Sequence, residues 1–425
     1  VTPLPWPIVL AAFARADALT VLARAKVLGL VAWSATGAAI GGAAARARTA
    51  WWAKAGVLAA VALSVPLAAH SVSGMETALA TGLATLAVLL GRRGPVAVGA
   101  VAGLAATLRP ELAAWALVVT AALGAAHRAT ARPDGTSPAL AGAWSKHMAL
   151  AQTLALAPFV ACALLRTAVW GRPAPLALLA KPSDLAHGLP YAAAGFVVTL
   201  VPLLVVAPLS LRRKPRALAI VVAAAAHFGA VAAVGGDWMP YARLLVPVVP
   251  SLALAALMLA ECARPLATAT RTVVALALGA LLVPRAQAGR AVGSDRAALV
   301  HAAAPALVGL HRIAALDIGW LSAATDADIL DLGGVTDPGI ASLPGGQTSK
   351  RVDSILLLSR DPDALLLYAP EGLPPDGLAS WADASFPRAV EARLARDDLI
   401  ARRFTPAAWL PLGARGGYVL LVRRD

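Results

Sequence analysis

Charge is what this chain has least of: Asp, Glu, Lys and Arg make up 14% of 425 residues, against about 25% in an ordinary soluble protein. Apolar residues take their place at 59%, where about 45–50% is usual. A water-soluble fold of this length has too little interior to hide that surplus. Cysteine is nearly absent as well. Cys162 lies inside an apolar run and Cys262 at the end of another, which predicts two free thiols and no disulfide framework. His70, His187 and His227 lack metal-ligand spacing, so zinc, haem and iron–sulfur chemistry has no support. There is no Walker A loop, Rossmann glycine fingerprint or G-x-S-x-G elbow, which argues against nucleotide-driven transport. No repeat of fixed period is present, and no charged n-region or small-residue cleavage site follows Val1.

The few charges are unevenly placed. They are almost missing from Met148–Leu165, Tyr191–Leu211 and Ala217–Val234, and dense after Pro284. The net charge of +14 would suggest nucleic acid in a soluble protein. Here many Lys and Arg sit in short loops between apolar runs, where they act as topology signals and not as a nucleic-acid surface.

A spanning helix needs roughly 20 apolar residues, because each adds only about 1.5 Å across a core of about 30 Å. Val27–Ala45, Ala55–His70, Met148–Leu165, Tyr191–Leu211 and Ala217–Val234 approach that length. Thr77–Gly91, Pro95–Leu108, Leu112–Ala126, Leu244–Ala260 and Thr272–Pro284 are shorter, and with them the expected number of spans is about ten. Richness in Ala and Gly predicts closely packed helices.

Fourteen Lys and Arg fall in alternate loops: Arg46, Arg48 and Lys54; Arg92 and Arg93; Arg128, Arg132 and Lys146; Arg212, Arg213, Lys214 and Arg216; Arg264 and Arg271. The intervening loops hold five: Arg109, Arg166, Arg172, Lys181 and Arg243. The richer set is expected in the cytoplasm. Arg15, Arg24 and Lys26, ahead of the first full span, run against this pattern. The expected fold is an all-α polytopic membrane bundle over residues 1–284, followed by a soluble α/β domain over 285–425 on the extracytoplasmic side of the cytoplasmic (inner) membrane. Strands are expected at Ala364–Leu367 and Tyr418–Val422, and a helix at Pro387–Arg396.

Ionisable residues beside apolar runs are costly, so each raises a functional question. Four groups qualify, all in the loops assigned to the outer face. Glu76, in Ser73-Gly74-Met75-Glu76-Thr77, opens a span; its plain role is to favour a helix N-terminus. Arg109-Pro110-Glu111 interrupts a long apolar stretch, and its plain reading is a turn with Pro starting the next helix. The loop from Trp170 through Arg172, Lys181 and Pro182 to Tyr191 is long and carries two cations. Gly235–Arg243 sets Asp237 and Arg243 either side of Trp238 and Tyr241; either an ion pair closes that loop or the guanidinium grips a phosphate.

Four runs in order, SGMETALATGLATLAVLL (Ser73–Leu90), GLAATLRPE (Gly103–Glu111), GGDWMPYARLLVPVVP (Gly235–Pro250) and DLGGVTDPGIA (Asp331–Ala341), resemble the GT-C membrane glycosyltransferases, in particular the terminal arabinofuranosyltransferase type. The resemblance implies transfer of a sugar from a polyprenyl-phosphate donor to an envelope glycan, lipid or protein acceptor among membrane lipids. It implies that Arg109 and Arg243, with Lys181, hold the donor phosphate. Glu76, Glu111 and Asp237 would orient sugar, acceptor or a divalent cation, no other cofactor being implied. Thr2-Pro3-Leu4-Pro5-Trp6 resembles the stretch that follows the family's first outer loop, so the acidic general base is expected upstream of Val1. Two other readings remain open from the residues alone: a transporter or flippase, and a non-catalytic membrane protein of envelope or flagellar assembly.

Overall fold

A computed structural model of the chain describes residues 3–13, 17–131, 138–181, 184–237, 239–413 and 416–424. Val1, Thr2, Arg15, Arg132, Pro182 and Trp238, which the sequence reading used, lie outside them. The fold is mostly helical, at 68%, with a small sheet near the C-terminus.

The helical part contains α1 (Pro5–Ala11), α2 (Ala18–Arg46), α3 (Trp51–Ala62), α4 (Val65–Ser71), α5 (Thr77–Leu89), α6 (Pro95–Leu108), α7 (Ala113–Ala131) and α8 (Pro138–Trp170). It continues with α9 (Leu176–Ala180), α10 (Leu185–Val198), α11 (Val201–Leu204), α12 (Pro208–Leu211), α13 (Pro215–Ala233), α14 (Val249–Ala260) and α15 (Pro265–Leu282). Among the described residues, five helical stretches are long and apolar enough to cross a membrane: Ala18–Arg46, Pro110–Thr130, Trp144–Trp170, Pro215–Ala233 and Pro265–Leu307. A sixth is added if α3 and α4, bent by 53° at their junction, count as one span. The chain therefore has the helices of a multi-pass membrane protein, with five or six full-length spans where about ten were expected.

The differences have local causes. Tyr191–Leu211 is not one helix but parts of α10, α11 and α12. Leu200 adopts φ 63°, and Pro202 and Pro208 each start a new short helix because neither has an N–H to continue the previous one. Pro66 likewise opens α4 after the break that splits Ala55–His70. The first span starts earlier than Val27, because Asp17 caps α2 by accepting from the Thr20 amide at 3.0 Å. Arg24 and Lys26 thus belong to the helix and not to a loop before it.

Small residues set the packing. Gly99 and Gly103 stand four apart on α6, and a Cβ on either would collide with a backbone carbonyl oxygen of α8, at Ala151 and Leu154 respectively. Close backbone approach of this kind is how helices associate when lipid removes the hydrophobic drive between them. Threonines inside the bundle turn their hydroxyls back on the preceding turn, as Thr81 does to Thr77 O at 2.7 Å and Thr120 to Ala116 O at 2.6 Å.

The basic loops meet at one end of this bundle. Arg46, Arg92 and Arg216 border one cavity with Glu261, which also pairs with Lys214 at 2.6 Å. Arg92 and Arg109 flank the 14-residue α6, and Arg216 and Asp237 flank most of the 19-residue α13. At about 1.5 Å per residue, the basic end and the Arg109–Asp237 end lie roughly 20–30 Å apart.

The path stays helical across residue 284, through α16 (Gln287–Ala303), and only then enters the α/β domain. There β1 (Arg312–Ala315), α17 (Ile318–Ala324), β2 (Asp328–Asp331), α18 (Pro338–Ala341), α19 (Ser354–Ser359) and β3 (Ala364–Ala369) precede α20 (Ala389–Ala395), α21 (Asp398–Arg403), β4 (Phe404–Pro411) and β5 (Gly417–Arg423). The strand order is β2-β1-β3-β5-β4, with β1 parallel to β2 and β3, and β5 antiparallel to β3 and β4. Side chains alternate across the sheet. Leu365, Leu367, Val419 and Leu421 pack with Val390 and Leu394 of α20, while Leu366, Tyr418 and Leu420 pack with Leu299 of α16 and Trp320 of α17. The two expected strands and the expected helix fall on β3, β5 and α20.

Replacing Gly99 or Gly103 with Leu should destabilise the bundle by about 1–3 kcal/mol through overpacking against α8, read as a lower thermal midpoint in detergent. Gly37→Leu, at a position where a Cβ meets nothing within 4 Å, should leave the midpoint unchanged.

Candidate functional site

The site begins with three interruptions of helix. Gly74 takes φ 77° in the turn before α5, which places Glu76 at that helix's start. Pro110 disfavours helical geometry at the residue before it, so Arg109 is extended at φ −137°, ψ 93°, and its side chain leaves the α6 track for the interior. Gly235 and Gly236 take φ 91° and 70° after α13, where a Cβ would meet Asp184 or the Tyr191 ring. That close approach seats the Asp237 loop against α10.

These segments meet around one guanidinium. Arg109 is only 5% exposed. Its Nη1 donates to Glu76 Oε1 at 3.0 Å, its Nε lies 3.0 Å from Glu111 Oε1, and its Nη2 donates to the Arg243 carbonyl at 3.1 Å. Arg243 in turn reaches Asp237 Oδ2 at 2.6 Å and Met75 Sδ at 3.7 Å. Lys181, at the end of α9, lies 3.4 Å from Asp237 Oδ1. All six residues singled out from the sequence, Glu76, Arg109, Glu111, Lys181, Asp237 and Arg243, therefore belong to one network drawn from four separate stretches of chain.

The network has three cations and three carboxylates. Asp237 carries the clearest electrostatic signature: burial would raise its carboxyl, but Arg243, Lys181 and Arg109 hold it below the ordinary value. Each cation proposed for a donor phosphate already holds a carboxylate, so an incoming phosphate has to displace or share one. Both plain readings of individual groups are also present, since an Asp237–Arg243 pair closes its loop and Pro110 starts a short 3₁₀ turn. Glu76 does not cap α5 with its side chain; the carboxylate goes to Arg109. No three His, Cys, Asp or Glu side chains come together as a metal-binding group among the described residues.

Residues not singled out from the sequence complete the frame. His227, fully buried on α13, sets its two ring nitrogens 3.2 Å from Glu111 O and 2.7 Å from Leu244 O, tying two site loops together. Tyr191 accepts from the Leu244 amide at 3.2 Å, and His187 Nδ1 lies 2.7 Å from Gly235 O. His70, only 4% exposed, closes another side, beside the Pro240–Tyr241 backbone. Tyr241 and Ala242 both have positive φ, 64° and 50°, immediately before Arg243. Non-glycine residues in that region store strain, a feature that concentrates at functional sites. A hint was available for Tyr191 in its place beside Pro190, but none marked His227 within an apolar helix.

The α/β domain docks on the same end. Lys350, 1% exposed, donates to Ala341 O at 2.8 Å, Leu343 O at 2.9 Å and, across the domains, Leu179 O of α9 at 3.4 Å. Asp331 ends β2 and Asp337 stands directly before α18. Asp331 accepts from the Gly333 and Thr336 amides, and Asp337 caps α18 at the Ile340 amide. Above the sheet, Arg388 lies 2.7 Å from Asp317 and 3.4 Å from Glu391, and Tyr418 donates to Asp317 at 2.6 Å. Burial lifts the Glu391 carboxyl from 4.5 to about 7, against the opposing pull of Arg388 and the Tyr368 amide.

With that geometry in hand, comparison with protein-family models, with curated proteins and with solved structures finds no match to the chain.

Two measurements follow. Arg109→Leu leaves the buried Glu76 and the partly buried Glu111 without their cation and should cost about 3–5 kcal/mol. Lys214→Ala removes a partly exposed pair and should cost about 1 kcal/mol or less; thermal unfolding in detergent compares the two. Glu391 binds its proton more tightly folded than unfolded, so its stabilisation is full below about pH 4.5 and lost as pH rises through about 7. Glu391→Gln should flatten the fall in thermal midpoint between pH 5 and pH 8, and an unchanged slope would contradict the assignment.

Proposed function

We propose that this protein is a multi-pass membrane glycosyltransferase of the GT-C type, moving a sugar from a polyprenyl-phosphate donor to an envelope glycan, lipid or protein acceptor. The observation that carries the reading is the convergence of the three membrane-part runs resembling that family, around Glu76, Arg109–Glu111 and Asp237–Arg243, on one buried charge network. On this reading the short apolar helices complete a bundle of about ten crossings. Thr77–Arg92 and Pro95–Leu108 are too short to reach both surfaces of a core of about 30 Å, and a site recessed beneath one surface accommodates them.

Orientation follows from charge. The basic end formed around Arg46, Arg92 and Arg216 is cytoplasmic by the positive-inside rule. The network and the α/β domain above it then lie on the extracytoplasmic side of the cytoplasmic membrane.

In the reaction, the acceptor hydroxyl attacks the sugar's anomeric carbon, its proton passes to the acidic general base that the family resemblance implies, and the bond from that carbon to the phosphate oxygen breaks so that the lipid phosphate leaves with the electron pair. A phosphate leaving group calls more for cations than for a proton. Arg243 and Lys181 supply them by turning from Asp237 to the phosphate, and the Asp237 carboxylate orients a sugar or acceptor hydroxyl. Arg109 remains fixed by Glu76 and Glu111 and sets the position of Arg243 through its carbonyl. The strained Tyr241–Ala242 backbone supports this role, because a loop held in an unfavourable conformation exchanges partners at lower cost than a relaxed one.

The balance of three cations and three carboxylates favours a second reading, in which the network is a structural tie in a non-catalytic membrane protein. Transfer of labelled sugar from polyprenyl phosphate in proteoliposomes separates the two. Arg243→Lys keeps the charge but loses the fork; it should lower transfer by about 10²-fold, the loss expected for one preorganised donor worth roughly 3 kcal/mol, while the amount of protein in the membrane stays constant. No transfer by the unaltered protein with a range of such donors would favour the structural reading.

A further inference from the structure

A second cation site lies outside the network, at the end of α8. Arg166 is 5% exposed, and neither its Nε nor its Nη2 has a hydrogen-bond partner; no carboxylate comes within ion-pair distance among the described residues. A buried guanidinium without an anion is costly, and Arg109, equally buried, shows what this protein does elsewhere to avoid that cost. Arg166 borders a cavity of about 260 Å³ together with the exposed Arg172, the apolar Trp170, Pro175 and Leu176, and Thr336 and Pro338 of the α/β domain.

We propose that this cavity holds the headgroup phosphate of an anionic membrane phospholipid. The planar fork of Arg166 suits two phosphate oxygens, and the exposed Arg172 adds charge; Thr336 also lines the cavity, with its hydroxyl donating to Asp331 Oδ2 at 3.1 Å. The choice of a lipid over a free ion follows from the surroundings. Only 11% of the best apolar window of Trp144–Trp170 is buried in the protein, and Leu164, Leu165 and Val169, next to the cavity, are 65%, 49% and 57% exposed. That face meets acyl chains, so a lipid can enter sideways and leave its tails along α8. Trp170 stands where an interfacial aromatic belongs. The choice of a bilayer phospholipid over a glycosyl donor rests on the same exposure, since the cavity is on the flank of the bundle while the charge network is enclosed within it. A lipid bound there bridges the membrane helices and the Thr336–Pro338 loop, beside the clip that Lys350 makes to α9.

The test is native mass spectrometry of the full chain, delipidated in mild detergent and titrated separately with phosphatidylglycerol, phosphatidylethanolamine, polyprenyl phosphate and inorganic phosphate. The unaltered protein should retain one phosphatidylglycerol in preference to the zwitterionic lipid. Arg166→Gln should weaken that binding by tenfold or more, Arg166→Lys by less, and Arg172→Gln, at an exposed position, by a few-fold with the fold intact. The thermal midpoint should rise with phosphatidylglycerol in the unaltered protein and not in Arg166→Gln. Equal retention by all variants, a preference for polyprenyl phosphate, or a response to inorganic phosphate equal to that to phosphatidylglycerol would each overturn the proposal.

Discussion

The burial of the Arg109 guanidinium is the constraint on which this end of the molecule depends. A cation in an apolar bundle is tolerated when its charge is paired and its donors are engaged, and here Arg109 donates to Glu76 and to the Arg243 carbonyl while Glu111 adds a second carboxylate 3.0 Å from Nε. Satisfying one residue fixes the start of α5, the break between α6 and α7, and the loop after α13. Arg243 extends the network to Asp237, which its own side chain meets at 2.6 Å, and Asp237 extends it to Lys181 at 3.4 Å.

Much of the remaining architecture serves to bring these breaks together. The glycines of α6 let α8 approach to backbone contact, and His227 holds Glu111 and Leu244 at fixed separation from within α13. Lys350 then ties the α/β domain to α9, whose last residue precedes Lys181.

Proline and glycine made the breaks legible in advance. Pro110, Gly74 and Gly235–Gly236 mark where helix cannot continue, and an ionisable residue follows or precedes each. The same signal was underestimated within Tyr191–Leu211, where apolar composition suggested one span and Pro202 and Pro208 in fact divide it. Hydropathy measures whether a segment can leave water; it does not measure whether its backbone can stay helical. Arg166 was visible only as one more loop cation, because the lack of a carboxylate beside it among the described residues is a property of its neighbours.

Composition and periodicity by themselves determined that most of the chain is apolar helix, that a mixed α/β unit follows it, and which ionisable residues stand at helix breaks. These are properties of short stretches, set by side-chain hydropathy and by the backbone limits of Pro and Gly. Only the tertiary structure decided that six of those residues form one neutral network, that His227 and Tyr191 frame it, and that Arg166 is left without an anion among the described residues. Pairing between residues as far apart as Glu76, Arg109 and Arg243 depends on helix packing, which brings distant backbone breaks to the same depth and excludes the water that would otherwise satisfy each charge alone.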